Sequence, residues 1–81
     1  MKRYQNRSGR GGITGYDTLS DAIILEFNSK DEYLYDYSKP GKEHVEQMKI
    51  LAEGGEGLTT YVNQNIRGNY KKKINKKASH F

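Results

Sequence analysis

The sequence predicts an α+β domain: a small three-stranded antiparallel meander followed by two short helices packed on one face. Two periodicities and one break carry that reading. Through residues 22–37 the faces alternate with a period of two, as in half-buried strands. From residue 42 the apolar positions recur at helical spacing. The change falls at Ser38-Lys39-Pro40-Gly41, whose lone proline has no N–H to give a strand ladder.

Residues 13–16 read as a short first strand, closed by the turn formers Asp17 and Thr18. Residues 22–27 form the second, with Ile23, Leu25 and Phe27 on one face and Ile24 and Glu26 on the other. Asn28-Ser29-Lys30-Asp31 is a hairpin connection. Residues 33–37 then place Tyr33, Tyr35 and Tyr37 on one face of a third strand. In residues 42–53, Val45, Met48 and Ala52, with Leu51 beside them, make an apolar helical stripe that ends at Gly54-Gly55. Residues 58–67 read as a shorter helix on Leu58, Tyr61, Val62 and Ile66, ended by Gly68.

Eighty-one residues allow one domain with a modest core. Residues 13–70 hold it. Residues 1–12 read as a flexible basic N-terminal arm and residues 71–81 as a basic C-terminal tail, both too polar to offset their ordering entropy. The net charge of +4 conceals this division. Residues 1–12 carry four bases and no acid; residues 13–67 carry ten acids against five bases; residues 68–81 carry five lysines and no acid. Any attraction to nucleic acid therefore resides in Arg3, Arg7, Arg10, Lys71, Lys72 and Lys73, with Lys76 and Lys77 beyond. With no cysteine there is neither a disulfide nor a thiolate metal site. No apolar run approaches the roughly 20 residues that span a bilayer, and the N-terminus lacks an apolar leader. The expectation is a soluble cytoplasmic protein with no membrane partner and no cofactor.

Catalysis is not expected. His44 and His80 stand outside any metal-ligand spacing, and the ten acids show no acid–base or metal pair. The seven tyrosines are more informative. For Tyr33 and Tyr35 the first reading is core-facing aromatics on a strand, the sharper one a platform on which bases stack. Tyr16, Tyr37 and Tyr70 sit near element ends and are the candidates for a partly exposed, ligand-stacking ring. The glycine-rich turn before Leu58-Thr59-Thr60 could hold a phosphate on helix amides and the Thr59 and Thr60 hydroxyls. It lacks the Gly-Lys-Ser/Thr ending of a P-loop, its two glutamates oppose an anion, and a plain helix connection is the alternative. Asn63 and Arg67 lie on the second helix, where the guanidinium could pair with phosphate, stack on a base, or simply pair with a surface acid.

The order of these features resembles the KTSC domain, a module of about this size found alone in bacteria and phages and at the C-terminus of some lysyl-tRNA synthetases. The similarity runs through residues 13–70. It rests on Gly15-Tyr16-Asp17, Leu25-Glu26-Phe27, Tyr33-Leu34-Tyr35, then Gly57 ahead of a helix with Tyr61, Asn63 and Ile66-Arg67, and Tyr70 beyond. The chain departs from the pattern at residues 38–41, where a Val-Pro step is usual, and at residues 52–57, which replace a small Ala-x-Ser-x-Gly element. The resemblance implies RNA binding.

The function expected is a non-catalytic nucleotide-ligand binding module, with RNA or single-stranded nucleic acid as the leading ligand. A phage-type sponge that sequesters a cyclic or adenosine-derived signalling nucleotide to block host immune signalling is the alternative. Such a protein would act in the host cytoplasm, often as a homo-oligomer. A protein-interaction module that uses an exposed strand edge is the third reading.

Overall fold

The computed structural model of the chain describes residues 1–6 and 12–74. Five strands, β1 (Lys2–Arg3), β2 (Ile13–Leu19), β3 (Ala22–Phe27), β4 (Asp31–Asp36) and β5 (Lys72–Ile74), form one sheet in sequence order. Every neighbouring pair is antiparallel. Between β4 and β5 the chain forms α1 (Lys42–Gly54) and α2 (Leu58–Tyr61), the latter continuing as a π-helical turn over Val62–Ile66. The class is α+β, as the periodicities predict.

The strand count is not. The two additional strands come from the segments expected to be a free arm and tail. Lys2 and Arg3 pair with Tyr16 and Gly15, and Lys72–Ile74 pairs with β4. Hydrophobic content is a poor guide here because both are edge strands, which need backbone partners on one side and tolerate exposed Lys and Arg on the other. One residue of the arm is also apolar enough to anchor it: Tyr4 is only 3% exposed and belongs to the core. Arg7, Arg10, Lys76 and Lys77 lie outside the described residues.

Local chemistry explains the central hairpin. Asn28 and Ser29 both adopt left-handed φ values of 56°, and the Lys30 N–H donates to the Phe27 carbonyl at 3.0 Å. Such a turn matches the right-handed twist of the flanking strands. With Lys30 as one further loop residue, Phe27 stands opposite Asp31, Leu25 opposite Tyr33 and Ile23 opposite Tyr35. After β4, the Asp36 carboxylate accepts the Ser38 N–H, the Ser38 hydroxyl and the Lys39 N–H at 2.6–3.0 Å. These bonds, led by the Ser38 hydroxyl, hold its pKa below the usual carboxylate value. α1 ends at Gly55, whose left-handed φ of 81° lets its N–H reach the Leu51 and Ala52 carbonyls.

The helices cover one face of the sheet. Tyr16, Ile23, Leu25 and Tyr35 from that face pack with Val45, Met48, Ala52, Leu58, Val62 and Ile66. Among the described residues no helix is long and apolar enough to cross a membrane.

Candidate functional site

The helical layer does not cover the whole inner face. Where β3 and β4 run past the end of the π-helical turn, a cleft of about 310 Å³ opens. Phe27, Asp31, Tyr33 and Tyr35 supply its sheet side, and Val62, Asn63, Arg67, Gly68 and Tyr70 its helix side. The π turn matters to this arrangement. Its Arg67 N–H bonds the Val62 carbonyl at 2.8 Å, five residues back. That widened turn keeps Val62 and Ile66 buried while Asn63 and Arg67 stay exposed at the cleft wall. Such single π turns recur at functional sites. Gly68, at φ 77°, then reverses the chain, and the Lys71 N–H bonds the Leu34 carbonyl at 2.7 Å to start β5. Tyr70, on this return, reaches the rings of β4.

Three aromatic contacts make the floor. Phe27 meets Tyr33 edge-on at 5.5 Å between centroids, Tyr70 lies tilted against Tyr33 at 4.7 Å, and Tyr70 meets Tyr35 at 6.4 Å. Burial pushes the Tyr35 phenol far above its ordinary pKa, with the Tyr33 and Tyr70 hydroxyls adding to the effect. It stays neutral at any physiological pH. Lys73 stands beside the cleft, its Nζ 5.7 Å from the Tyr33 ring centroid and 3.7 Å from the Asp31 carboxylate.

The cleft gathers three of the residues singled out in the sequence as ligand-binding (Asn63, Arg67 and Tyr70), and Lys73 from the basic set lies next to two of its lining residues, Tyr33 and Asp31. The others lie elsewhere. Tyr16 is 6% exposed and is a core residue, not a partly exposed ring, because β1 pairs alongside it and its ring joins the core cluster with Tyr4 and the helix residues. Tyr37 sits just past β4, where its hydroxyl donates to Glu46 on α1 at 2.6 Å and Lys42 stands 5.7 Å from its ring centroid. The hydrogen bond to Glu46 raises the pKa of Tyr37 and lowers that of Glu46, which Lys49 also contacts at 3.0 Å.

The glycine turn is not an open anion cradle. The Leu58 N–H donates to the Tyr4 hydroxyl at 3.1 Å in the core, and Thr59 is buried with its hydroxyl unpaired among the described residues. Thr60 is exposed. Arg3 lies on β1, at the opposite sheet edge from β5. Lys71 bonds the Ser38 hydroxyl at 3.2 Å, and Lys72 lies across from Leu34. Arg3 and Lys72–Lys73 thus lie on opposite edges of the sheet.

Phe27, Asn28 and Asp31 line the site without standing out in the sequence, and Tyr33 reads there first as a core residue. The hairpin register could have found Phe27 and Asp31, since a three-residue loop, Asn28-Ser29-Lys30, sets them opposite each other. Elsewhere, His44 Nδ1 and the Tyr61 hydroxyl lie 2.7 Å apart between the two helices. Among the described residues no group of three His, Asp or Glu side chains is placed to hold a metal ion.

The fold and the cleft define a small α+β module with an aromatic, cation-rimmed concavity between sheet end and helix end. Comparison of the chain with family models, with curated proteins and with solved structures gives no match.

Proposed function

We propose that the chain is a non-catalytic module that binds a nucleotide ligand in this cleft, as RNA or another single strand. One observation carries the reading: Tyr33 and Tyr70 on the floor, with Asn63, Arg67 and Lys73 around them. A base needs an aromatic surface, and each stacked base contributes about 1–3 kcal/mol. Its phosphate needs a fixed cation, for which a guanidinium is suited by its planar fork of donors. Amide and phenol groups on the walls can then read base edges or sugar hydroxyls. The resemblance to the KTSC family points to the same ligand class.

The test is fluorescence anisotropy with short single-stranded RNA across a salt series, for the parent chain and for Arg67→Ala and Tyr70→Ala. Affinity should fall with salt, with a slope set by the number of phosphates neutralised. Binding that ignores both substitutions would remove the cleft from the reading.

The size of the cleft supports a second reading. About 310 Å³ lies near the floor of the roughly 300–1,000 Å³ typical of small-molecule sites. One nucleotide fits that scale better than a long strand does. A sponge for a cyclic or adenosine-derived nucleotide would co-purify with its ligand, so heat release followed by mass spectrometry separates the two. A discrete nucleotide supports the sponge; oligonucleotide fragments support the strand.

A further inference from the structure

We propose that the cleft selects guanine, with Asp31 on its wall and Lys73 beside it reading the Watson–Crick edge of that base. This rests on the nucleotide reading above and narrows it. Asp31 opens β4 directly across from Phe27, and Lys73 lies across from Tyr33, so both side chains come from the same end of the sheet as the stacking rings. Their charged groups are 3.7 Å apart, and Lys73 Nζ is 5.7 Å from the Tyr33 centroid.

That separation is longer than the about 2.7–2.9 Å of a charge-assisted hydrogen bond. The pair is thus held by attraction, with no hydrogen bond formed between them. The side chains are 49% and 41% exposed for Lys73 and Asp31. Exposed pairs of this kind contribute little to stability, so turning them toward a ligand costs little. Together they present a donor beside a two-oxygen acceptor.

Among the bases, guanine is the complement. Its edge runs acceptor, donor, donor: O6 toward the Lys73 ammonium, N1–H and the 2-amino group toward the two oxygens of Asp31. Adenine and cytosine would each bring one amino donor to the carboxylate and turn a ring-nitrogen lone pair against it. Uracil has one donor between two carbonyls. Asn28 and Asn63, also at the walls, carry amides that serve either role and so do not discriminate. A site built to bond a donor rejects the analogue that lacks it, because the acceptor is left unpaired.

Inosine, which is guanosine without the 2-amino group, isolates the contact. The probes are labelled uridine hexaribonucleotides with one internal guanosine, inosine or adenosine, titrated by anisotropy against the full chain. Guanosine and inosine 5′-monophosphates serve as competitors. The guanosine hexamer should bind roughly tenfold more tightly than the inosine one, the scale of one lost arm of a bidentate contact. Asp31→Asn should erase that gap. Lys73→Met should weaken guanosine and inosine alike, since both keep O6, and leave their ratio unchanged. A guanine preference in the hexamers identifies a strand ligand, and one confined to the monophosphates identifies a free nucleotide. Equal binding of guanosine and inosine by the parent chain overturns the guanine inference alone. No binding of any hexamer or monophosphate overturns the nucleotide reading with it.

Discussion

The hydroxyl of Tyr4 accepts the backbone N–H of Leu58 at 3.1 Å, joining the start of the chain to the start of α2 across 54 positions. Both residues are buried. The bond satisfies one of the first amides of the helix, which have no partner within the helix itself. It also makes residues 1–4 part of the fold: β1 holds the backbone while the Tyr4 ring fills the core below it.

Tyr4→Phe should therefore destabilise the protein by about 1–3 kcal/mol, because it leaves a buried N–H unpaired while keeping the ring. For a domain of this size each kcal/mol lowers Tm by roughly 4–8 °C. Removing residues 1–4 should cost more, on the scale of about 3–5 kcal/mol for loss of a buried aromatic. Differential scanning calorimetry of the two variants checks this; a truncation with the parent's Tm would show that the N-terminal strand adds nothing.

Ser29 occupies a left-handed conformation at φ 56° without the advantage of a glycine. That region costs an L-residue about 1–2 kcal/mol, against roughly 0.5–1 kcal/mol for the extra chain entropy of glycine. Ser29→Gly should stabilise the protein by about 0.5–1 kcal/mol, measured by urea denaturation. The Ser29 N–H that bonds the Thr14 hydroxyl at 2.9 Å is retained in the variant.

The Tyr37–Glu46 bond sets a pH window. Glu46 has a folded pKa below its ordinary 4.5, so its contribution is present above that pH and lost as pH falls through the folded value. Tyr37 has a folded pKa above its ordinary 10.0, so its contribution is present below pH 10.0 and lost as pH rises through the folded value. The stability difference between the parent and Tyr37→Phe should be level between these limits and shrink outside both. Urea titrations from acid to alkaline pH test it; a difference that grows in acid would contradict the assigned bond.

The cleft and the Tyr37 side chain can be separated by binding. Arg67→Ala and Tyr70→Ala should each weaken single-stranded RNA by roughly tenfold, the scale of one lost phosphate or stacking contact. Tyr37→Ala and Thr60→Ala should leave the affinity where it was, since neither residue is among those that line the cleft. Isothermal titration gives both values, and a loss in Tyr37→Ala matching that of Tyr70→Ala would relocate the site.

The order of elements was legible because it rests on local rules. Residues 22–27 alternate and form β3; residues 42–53 carry a 3.6 period and form α1, one residue longer at Gly54. Residues 58–67 read as one helix, and their spacing correctly buries Leu58, Val62 and Ile66. What spacing could not reveal is that the turn after Tyr61 widens to a π turn, for its effect is on where Asn63 and Arg67 emerge. Tyr16, Tyr37 and Tyr70 looked alike as residues near element ends. Their fates differ through partners distant in sequence: β1 beside Tyr16 and the core around its ring, Glu46 beside Tyr37, and Tyr33 beneath Tyr70.

By itself, then, the sequence determined the α+β class, the central hairpin, the two helices and the shared inward face of Ile23 and Leu25, because period and turn chemistry act over a few neighbouring residues. Only the tertiary structure decided that the basic ends supply edge strands, that Tyr4 takes the first amide of α2, and that part of the inner face stays open beside Tyr33. Those outcomes depend on backbone pairing between distant segments and on how far the helical layer reaches across the sheet, neither of which any local pattern encodes.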